Sequence, residues 1–544
     1  MRQAHSRLAV LVSLSTLAAC VGPMPPPPEL RVTSPRRGMV QGGAGQVTVT
    51  GTALPGADGA PIARVKVNGV PATLAGNGAF TATVDLPPGA TLLETVAISE
   101  EGGSTTDARA VQVGQLRPVG TTIERAVTAT LSADAFEKLS AAAGPLVKGM
   151  DLTQKLAAVG PVANLGDNIA NLKLSITQLA LGDARFTLTP VDGGLAFTAE
   201  LSGLAVGAKA AYGGTLVPDG TTSVSVNADT ITIGGTLVVT PAGTAGFTTK
   251  ITSPTVRSTN LRLGASGLTG QILTLLDDNL GSAVQSITTK AAEQAMDPLI
   301  NAALGALAGP QRLDVLGKTL DIEASPSAIA FTSAGALVSM NLSAKLLGSE
   351  TSPGYVFTPN GTPAMAVGNG IQLGIADDLM NELLAEVHAL GLLDIHLTED
   401  VGLFDTEDIK LSLPPMVSAS SADGKMRLVL GDMIATFKKQ QKPVISAAIN
   451  AQVELAITRG RSAQEIALQF GKVHLFVNVL DPNGPDDGTA DDISGAATTS
   501  IGLQLDSLSQ FLIEVPVPSV AGVSLDNLAL RADSGYVVVS GQVH

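Results

Sequence analysis

The chain has 544 residues, a formal net charge of −15, 45% apolar residues, 3% aromatic residues and no tryptophan. Its length predicts about three domains, because one hydrophobic core rarely serves so long a chain. The acidic balance argues against nucleic acid as a partner and against a polybasic membrane-binding patch, since both need clustered Lys and Arg.

The first twenty residues have the pattern of an export signal. Arg2 and Arg7 precede an apolar run over residues 8–19, and Cys20, the single cysteine of the chain, follows at once. The apolar run is too short to span a bilayer as a mature anchor.

The sequence Leu17-Ala18-Ala19-Cys20 resembles the lipobox of bacterial lipoproteins. The resemblance implies removal of residues 1–19, diacylglycerol on the Cys20 sulfur and an acyl chain such as palmitate on its amine. Val21, rather than Asp, follows the cysteine, which implies the outer membrane, on its periplasmic or its surface face. The alternative is an ordinary export signal with a chance cysteine.

Residues 20–29 contain the lipidation cysteine and a proline-rich linker, which favours extended polyproline structure. Residues 30–114 predict a small β domain, with short strands and hairpin turns at Asn68-Gly69 and Asn77-Gly78. The pattern Val-x-Val-Asn-Gly followed by Gly-x-Phe resembles bacterial immunoglobulin-like (Ig-like) domains. That resemblance implies a β-sandwich used as a spacer.

Residues 121–318 predict a first lobe that opens with a helix and continues with alternating strands. Ser132 is placed to cap a helix that runs to about Lys148, with Leu139 on its apolar side. Gly144-Pro145 is a candidate break in that helix.

The lobe closes with a long helix over residues 267–309, where aliphatic or small residues recur every three or four positions. At Pro298 we expect a kink or the start of a second helix. The stripe residues that we single out as candidate lipid contacts, with Leu139, are Leu276, Leu280, Val284, Ile287 and Leu299.

Strands over 319–366 predict a central sheet between two lobes, and residues 367–544 then repeat the plan of the first lobe. A strand over 445–457 alternates strictly and is far longer than usual, so we expect it to curl. A short closing helix is expected around 503–513.

The second lobe opens with an amphipathic helix over residues 375–393. Its apolar face supplies the further lipid-contact candidates Leu379, Leu383, Val387 and Leu390. Off that face lie Asp378, Asn381, Glu382 and Glu386.

Helix, long antiparallel strands and helix, twice around a central sheet, resemble the BPI/LBP/CETP family of tubular lipid-binding proteins. The resemblance is carried by residues 370–384, by Val515-Pro516-Val517-Pro518, by 523–528 and by 536–539. It implies an α+β boomerang of two elongated lobes, each with a pocket for the acyl chains of a phospholipid-like ligand. The chain departs from the family in lacking the first-lobe disulfide, an evident cationic tip and an apolar second closing helix.

The apolar helix faces have two interpretations, an ordinary core or a pocket wall. The pocket gains support from small side chains and scarce aromatics, which leave volume unfilled. An acidic loop with Asp481, Asn483, Asp486 and Asp487 is a weak Ca²⁺ candidate that fits a solvated loop better, since its spacing differs from an EF-hand. We expect no cofactor.

The sequence favours a non-catalytic, membrane-anchored lipoprotein that binds, and in one version transfers, a phospholipid-like ligand. Its expected contacts are that lipid and the membrane at its anchor, with no nucleic acid. The alternative is a structural or adhesive surface lipoprotein with filled lobes and no lipid cargo. A hydrolase is a third hypothesis, although neither Gly-x-Ser-x-Gly nor His-Glu-x-x-His occurs.

Overall fold

The structure is a computed structural model. It describes residues 25–215, 217–265, 271–304, 309–315, 317–365, 370–398, 404–419, 425–459, 465–480, 493, 495, 502, 505, 515–516 and 525–543. The fold is mostly β, with curled antiparallel sheets. Within the described ranges, no helix is both long enough and apolar enough to cross a membrane.

The chain divides into two compact units. The smaller comprises Met1–Arg36, Gln46–Asp85 and Leu93–Ala108, and the larger comprises Arg37–Gly45, Leu86–Leu92 and Arg109–His544.

The N-terminal part of the chain is built of short strands in two sheets. In chain order the strands are β1 Glu29–Ser34, β2 Met39–Gln41, β3 Gly45–Leu54, β4 Ile62–Val67, β5 Val70–Pro71, β6 Thr73–Leu74, β7 Ala79–Leu86, β8 Gly89–Ser99 and β9 Ser104–Val113. The sheet orders are β1-β3-β7-β6 and β2-β9-β8-β4-β5. The predicted turn at Asn68-Gly69 joins β4 to β5, and both residues have positive φ (46° and 81°), as a type I′ turn requires. Two sheets are what a sandwich needs, and its Ig-like character stays a prediction.

One curled sheet of the larger unit contains the two longest strands. Its strands are β12 Ala163–Gly166, β13 Asn171–Ala180, β14 Asp183–Val191, β15 Gly194–Gly213, β16 Gly220–Pro241, β17 Phe247–Thr259 and β18 Arg262–Ala265. Their order is β12-β13-β15-β16-β17, with β14 on β15 and β18 on β16. The helices of this region are α1 Ala133–Lys148, α2 Leu152–Val159, α3 Gln271–Asp278 and α4 Leu280–Leu304, with a 3-10 turn at Gly243–Ala245.

A second sheet draws its strands from three distant parts of the chain. They are β11 Ile123–Ser132, β19 Gly309–Val315, β20 Lys318–Thr332, β21 Gly335–Leu346, β23 Ile371–Ala376, β31 Leu525–Asp533 and β32 Tyr536–Val543, in the order β19-β20-β21-β11-β23-β32-β31. The predicted central strands of 319–366 therefore supply only part of this sheet.

A third sheet follows the helix α5, Asp377–Ala389. Its strands are β24 Ile395–Leu397, β25 Thr406–Leu411, β26 Met416–Ser418, β27 Met426–Lys439, β28 Lys442–Arg459, β29 Glu465–Val479 and β30 Val515–Pro516. The strand predicted over 445–457 is confirmed within β28. A short pair, β10 Gln115–Arg117 and β22 Tyr355–Phe357, completes the list.

The helix boundaries correct several predictions. The helix expected over 267–309 is divided at Asn279 into α3 and α4, and Gly144-Pro145 lies inside α1 instead of ending it. Pro298 lies inside α4, so no second helix begins there. The side-chain amide of Asn279 donates to the Leu275 carbonyl at 2.8 Å, so this carbonyl near the C-terminal end of α3 has a hydrogen-bond partner. The helix expected over 375–393 begins only at Asp377, because the residues before it pair in β23.

The larger unit has two main hydrophobic cores. The first joins α1, α2 and α4 to the sheet of β15 and β16. The second joins α5 to the sheet of β27 and β28. Each core therefore contains one of the two helical stripes that the sequence predicts.

Candidate functional site

Helix α4 packs one apolar face against the β15–β16 sheet. The buried residues of that face are Ala283, Val284, Ile287, Ala291, Ala292, Ala295, Met296, Leu299 and Ile300. Of the predicted lipid contacts, Val284, Ile287 and Leu299 lie here. The side chains of Leu276 and Leu280 lie outside the described part of the structure.

An apolar cavity lies beneath the middle of α4, where the buried face of the helix changes from large aliphatic residues to alanines. Ala291, Ala292 and Ala295 line it from the helix, and Ile287 and Thr288 complete the helical wall. An alanine side chain is too short to reach the opposite sheet, so close packing fails at this level of the core. The cavity volume is about 30 Å³, which is room for about two water molecules.

The rest of the cavity wall is entirely aliphatic or aromatic. It comprises Val147 of α1, Leu152 of α2 and, from the sheet side, Leu179, Leu181, Phe186, Ala199, Leu201, Leu204, Val206 and Ile233. The one hydroxyl in the wall is satisfied, because Thr288 donates to the Val284 carbonyl at 2.7 Å. The wall therefore offers no free side-chain polar group to water or to a polar ligand.

Because the partly exposed residues of its wall lie there, we infer that the cavity opens at the end of β13. Leu179 and Leu181 are partly exposed, whereas the other lining residues are buried. Helix α2 is held beside this opening by Thr153, whose hydroxyl accepts a hydrogen bond from the Leu179 amide at 3.0 Å. The mouth of the cavity is thus bounded by one strand end and one short helix.

A row of polar side chains on α4 binds the outer strand β17. Asn301 accepts from the Phe247 amide and donates to its carbonyl, both at 2.7 Å. One turn earlier, Asp297 accepts from the amide and hydroxyl of Thr249, both at 2.6 Å. On an outer strand, the amides of alternate residues, here Phe247 and Thr249, point away from the sheet. On a helix, residues four apart, here Asp297 and Asn301, lie on the same face. Each side chain of α4 can therefore reach one outward amide of β17.

The other flank of α4 is bound to the segment before β12. The Ser286 hydroxyl donates to the Val162 carbonyl at 2.5 Å, and the Lys290 ammonium donates to the Pro161 carbonyl at 3.2 Å. Helix α4 is therefore fixed along both flanks, whereas α2 contacts the cavity mouth through fewer bonds.

The predicted contact Leu139 does not line the cavity. Leu139 lies on α1 and is buried in the first core. On the same helix, position 144 must be glycine, because a Cβ atom there would lie only 2.3 Å from the Ala184 carbonyl oxygen. The glycine that looks like a helix break in the sequence serves instead to bring α1 close to β14.

Helix α5 orients its predicted contacts differently from α4. Val387 is fully buried, whereas Leu379, Leu383 and Leu390 are only half-buried and pack against the second core. These four residues belong to a different core from that of α4, so the ten predicted contacts do not form one site.

Five polar residues of α5 are as deeply buried as its apolar residues Leu384 and Val387, although the amphipathic pattern places most of them off the apolar face. Asp377, Asp378, Asn381, Glu382 and Glu386 are each at most 3% exposed. The helix lies between strands and loops whose backbone amides need acceptors, and these side chains supply them.

The bonds of these residues follow the length of α5. Asp377 accepts from the Ala419 amide at 2.9 Å. Asn381 accepts from the Val417 amide at 2.7 Å and donates to its carbonyl at 3.0 Å.

Two further carboxylates of α5 bind backbone amides on other elements. Glu382 accepts from the Gly120 amide at 2.7 Å, and Glu386 accepts from the Leu346 amide at 3.0 Å. Burial raises the pKa of Glu382 to about 8 and that of Glu386 to about 7, since a charged carboxylate loses its hydration there.

The two aspartates of α5 show the same effect. Burial raises the pKa of Asp377 to about 7 and that of Asp378 to about 6. The pKa of Asp378 rises less than that of Asp377, since Asp378 accepts from the amide and hydroxyl of Thr358 and from Asn360, and lies near the Arg117 guanidinium.

The weak Ca²⁺ candidate with Asp481, Asn483, Asp486 and Asp487 lies outside the described residues, as do Cys20 and most of the expected closing helix at 503–513. Across the described ranges, no three His, Cys, Asp or Glu side chains are grouped so that they could hold a metal ion. His396 pairs at the surface with Asp408.

Comparison with known proteins gives structural neighbours only. No family model matches the chain, and no curated protein matches it. Among solved structures, the chain is similar to lipopolysaccharide binding protein (14% identity, TM-score 0.35, covering 78% of this chain and 99% of that one). It is also similar to P47 of Clostridium botulinum E1 (7% identity, TM-score 0.27, covering 78% and 100%).

The candidate site is defined by the geometry of this chain.

The sequence predicts the apolar stripe of α4 and a pocket left by small side chains, but it does not identify Ala291, Ala292 and Ala295 as the cavity wall. The bonds of α4 to β17 are not predicted either. Their signal in the sequence is the four-residue spacing of Glu293, Asp297 and Asn301.

Proposed function

We propose that this protein binds a lipid-type ligand, without catalysis, at the apolar cavity beneath α4. The observation that carries the proposal is a cavity whose wall offers no free polar side-chain group and which reaches the surface between Leu179 and Leu181. An apolar cavity favours an apolar guest over water, because water would lose its hydrogen bonds there.

The size of the cavity implies that the guest enters by widening it. About 30 Å³ is far less than the 300–1,000 Å³ typical of ligand pockets. Helix α4 is bound along both flanks, whereas α2 closes the mouth through the Thr153 bond to Leu179. We therefore assign the widening to α2 and the end of β13, with α4 as the fixed wall.

The proposal includes export and anchoring. The sequence before Cys20 supports a lipoprotein signal, and an acylated Cys20 would hold the chain at the cell envelope, in the outer membrane by the residue that follows. The described ligand-binding region is distant in sequence from that anchor. Transfer of lipid, rather than storage, would require the same cavity to exchange its guest with a membrane.

The test uses a soluble Cys20→Ser chain with and without a filled cavity. Ala291→Leu places a larger side chain in the cavity wall, and Ala141→Leu makes the same change at an exposed position of α1. We expect lipid to be detected by mass spectrometry after denaturation of the Cys20→Ser chain. We also expect uptake of a fluorescent fatty acid or phospholipid to fall at least tenfold in Ala291→Leu and to be unchanged in Ala141→Leu.

A protein that is lipid-free after purification and takes up no fluorescent lipid would contradict the proposal. Equal uptake in Ala291→Leu and Ala141→Leu, with both folded by circular dichroism, would move the binding site elsewhere in the chain.

A structural or adhesive surface protein is the second candidate, and the small cavity volume favours it. A core that is almost filled is what a scaffold without cargo requires. This candidate predicts that Ala291→Leu changes neither lipid content nor binding of the protein to cells or polymer.

A further inference from the structure

Four carboxylic acids of helix α5 are buried, each at most 2% exposed. Asp378, Glu382 and Glu386 are spaced one turn apart on one side of the helix, and Asp377 directly precedes Asp378. We call Asp377, Asp378, Glu382 and Glu386 the carboxyl row.

The carboxyl row lacks a paired cation. Within the described part of the chain, none of its members forms a salt bridge. The cations that act on it from other elements are more distant, namely Arg117 toward Asp378 and Lys345 toward Glu386.

The remaining ionisable groups that face the row make negative charge less favourable. Glu350 acts on Glu386, and Tyr355 lies close enough to Glu382 and Asp378 for each to oppose the other's ionisation. Tyr536 is affected by Asp377 and Asp378 in the same way, although Arg125 partly offsets this.

Two oxygen atoms of the row have no hydrogen-bond partner among the described residues. They are Oδ1 of Asp377 and Oε2 of Glu382, and the buried Tyr355 hydroxyl also lacks one. A buried oxygen without a partner costs less free energy on a neutral carboxyl than on a charged carboxylate, which also lacks a paired cation here, so these atoms favour the protonated form.

We propose that α5 is a pH-sensitive element, which stays docked while its carboxyl row holds protons and loosens as the row ionises. The upward pKa shifts caused by burial agree with this arrangement. The inference does not depend on lipid binding, because it concerns a different helix and a different core.

The direction of the pH dependence follows from linkage. In the undocked chain these acids ionise near pH 4, whereas in the docked helix their pKa values lie between about 6 and about 8. The stabilisation is therefore fully present below about pH 4 and is lost as the pH rises through 6 to 8. Each acid that is protonated when docked and ionised when undocked makes the undocking constant rise tenfold per pH unit.

The experiment is hydrogen exchange of the full chain by mass spectrometry at pH 6 and pH 8, corrected for the intrinsic exchange rate. We expect peptides of α5 to show an opening constant at least tenfold larger at pH 8. Peptides of α1 report a helix without such a row and should change little. The double variant Glu382→Gln/Glu386→Gln should lose most of the difference between the two pH values in α5.

The matched control is Glu137→Gln, which neutralises an exposed glutamate on α1 and should leave the pH dependence of α5 intact. Equal opening constants of α5 at pH 6 and pH 8 in the unmodified chain would overturn the proposal, whatever the variants do. A double variant that folds and keeps the full pH dependence would overturn it as well.

Discussion

Helices α4 and α5 both lie against curled sheets, yet α4 buries mainly apolar side chains, whereas α5 buries acids and an asparagine beside Leu384 and Val387. Helix α4 turns alanines and aliphatic residues inward and uses its polar residues along a flank, where Asp297 and Asn301 bind β17. Helix α5 turns its acids inward, and its leucines at 379, 383 and 390 are only half-buried.

The difference comes from what surrounds each helix. The sheet under α4 presents side chains of residues whose backbone hydrogen bonds are already made within the sheet. Helix α5 lies among chain segments with unpaired amides, at Gly120, Leu346, Thr358, Val417 and Ala419, and each of these donates to it. Which face of a helix becomes buried therefore depends on the hydrogen-bond donors of the neighbouring segments as much as on the hydropathy of the helix.

The largest expected loss of stability comes from placing an acid in the apolar face of α4. Ala295→Asp puts a carboxyl in the apolar wall under α4, where no amide is free to bind it. We expect a loss of about 3–5 kcal/mol in the free energy of unfolding at pH 7, the cost of an uncompensated buried charge. Urea denaturation followed by circular dichroism measures it.

Ala141→Asp, at an exposed position of α1, serves as the control for that measurement and should change stability by well under half as much. A small effect of Ala295→Asp would show that the wall under α4 is wet.

An intermediate effect compares two asparagines with the same bonding pattern. Asn381 on α5 and Asn301 on α4 each bond both the amide and the carbonyl of one strand residue. Asn381→Ala should cost about 2–3 kcal/mol and Asn301→Ala about 1 kcal/mol, because unsatisfied groups cost more where water cannot replace the bond. Asn381 is 3% exposed, whereas Asn301 is partly exposed.

Denaturation of the two alanine variants side by side gives the comparison. The reverse order would mean that the bonds of α4 to β17 hold that region more strongly than the buried bonds of α5 hold the other.

The smallest expected effect is at the hydroxyl beside the carboxyl row. Burial raises the pKa of Tyr355 to about 12, so it is neutral at ordinary pH, and its oxygen has no partner among the described residues. Tyr355→Phe should leave the free energy of unfolding unchanged within about 1 kcal/mol, or raise it slightly. A loss larger than that, by thermal or urea denaturation, would reveal a hydrogen bond from Tyr355 to α5.

The sequence was most informative where one side of an element meets a uniform environment. Alternation over 445–457 identified β28, and the stripe with Val284, Ile287 and Leu299 identified the buried face of α4. Both patterns follow from burial on a single face, which depends on local spacing alone.

Prediction failed where a distant segment decides the outcome. Nothing near Glu382 indicates that the amide of Gly120, 262 residues away, will need an acceptor. Likewise, Gly144 resembles a helix break until Ala184 is placed against it. Pro298 has no backbone amide to donate, which weakens its turn of α4. The bonds of Asp297 and Asn301 to β17 hold that turn in place.

The polar row of α4 also has a consequence for how the molecule behaves at high concentration. An outermost strand with free amides is a template on which other chains can add strands, the first step of aggregation. By occupying the amides of Phe247 and Thr249, α4 removes attachment points from β17. At high protein concentration, where copies meet often, this covering keeps their sheets from joining at β17.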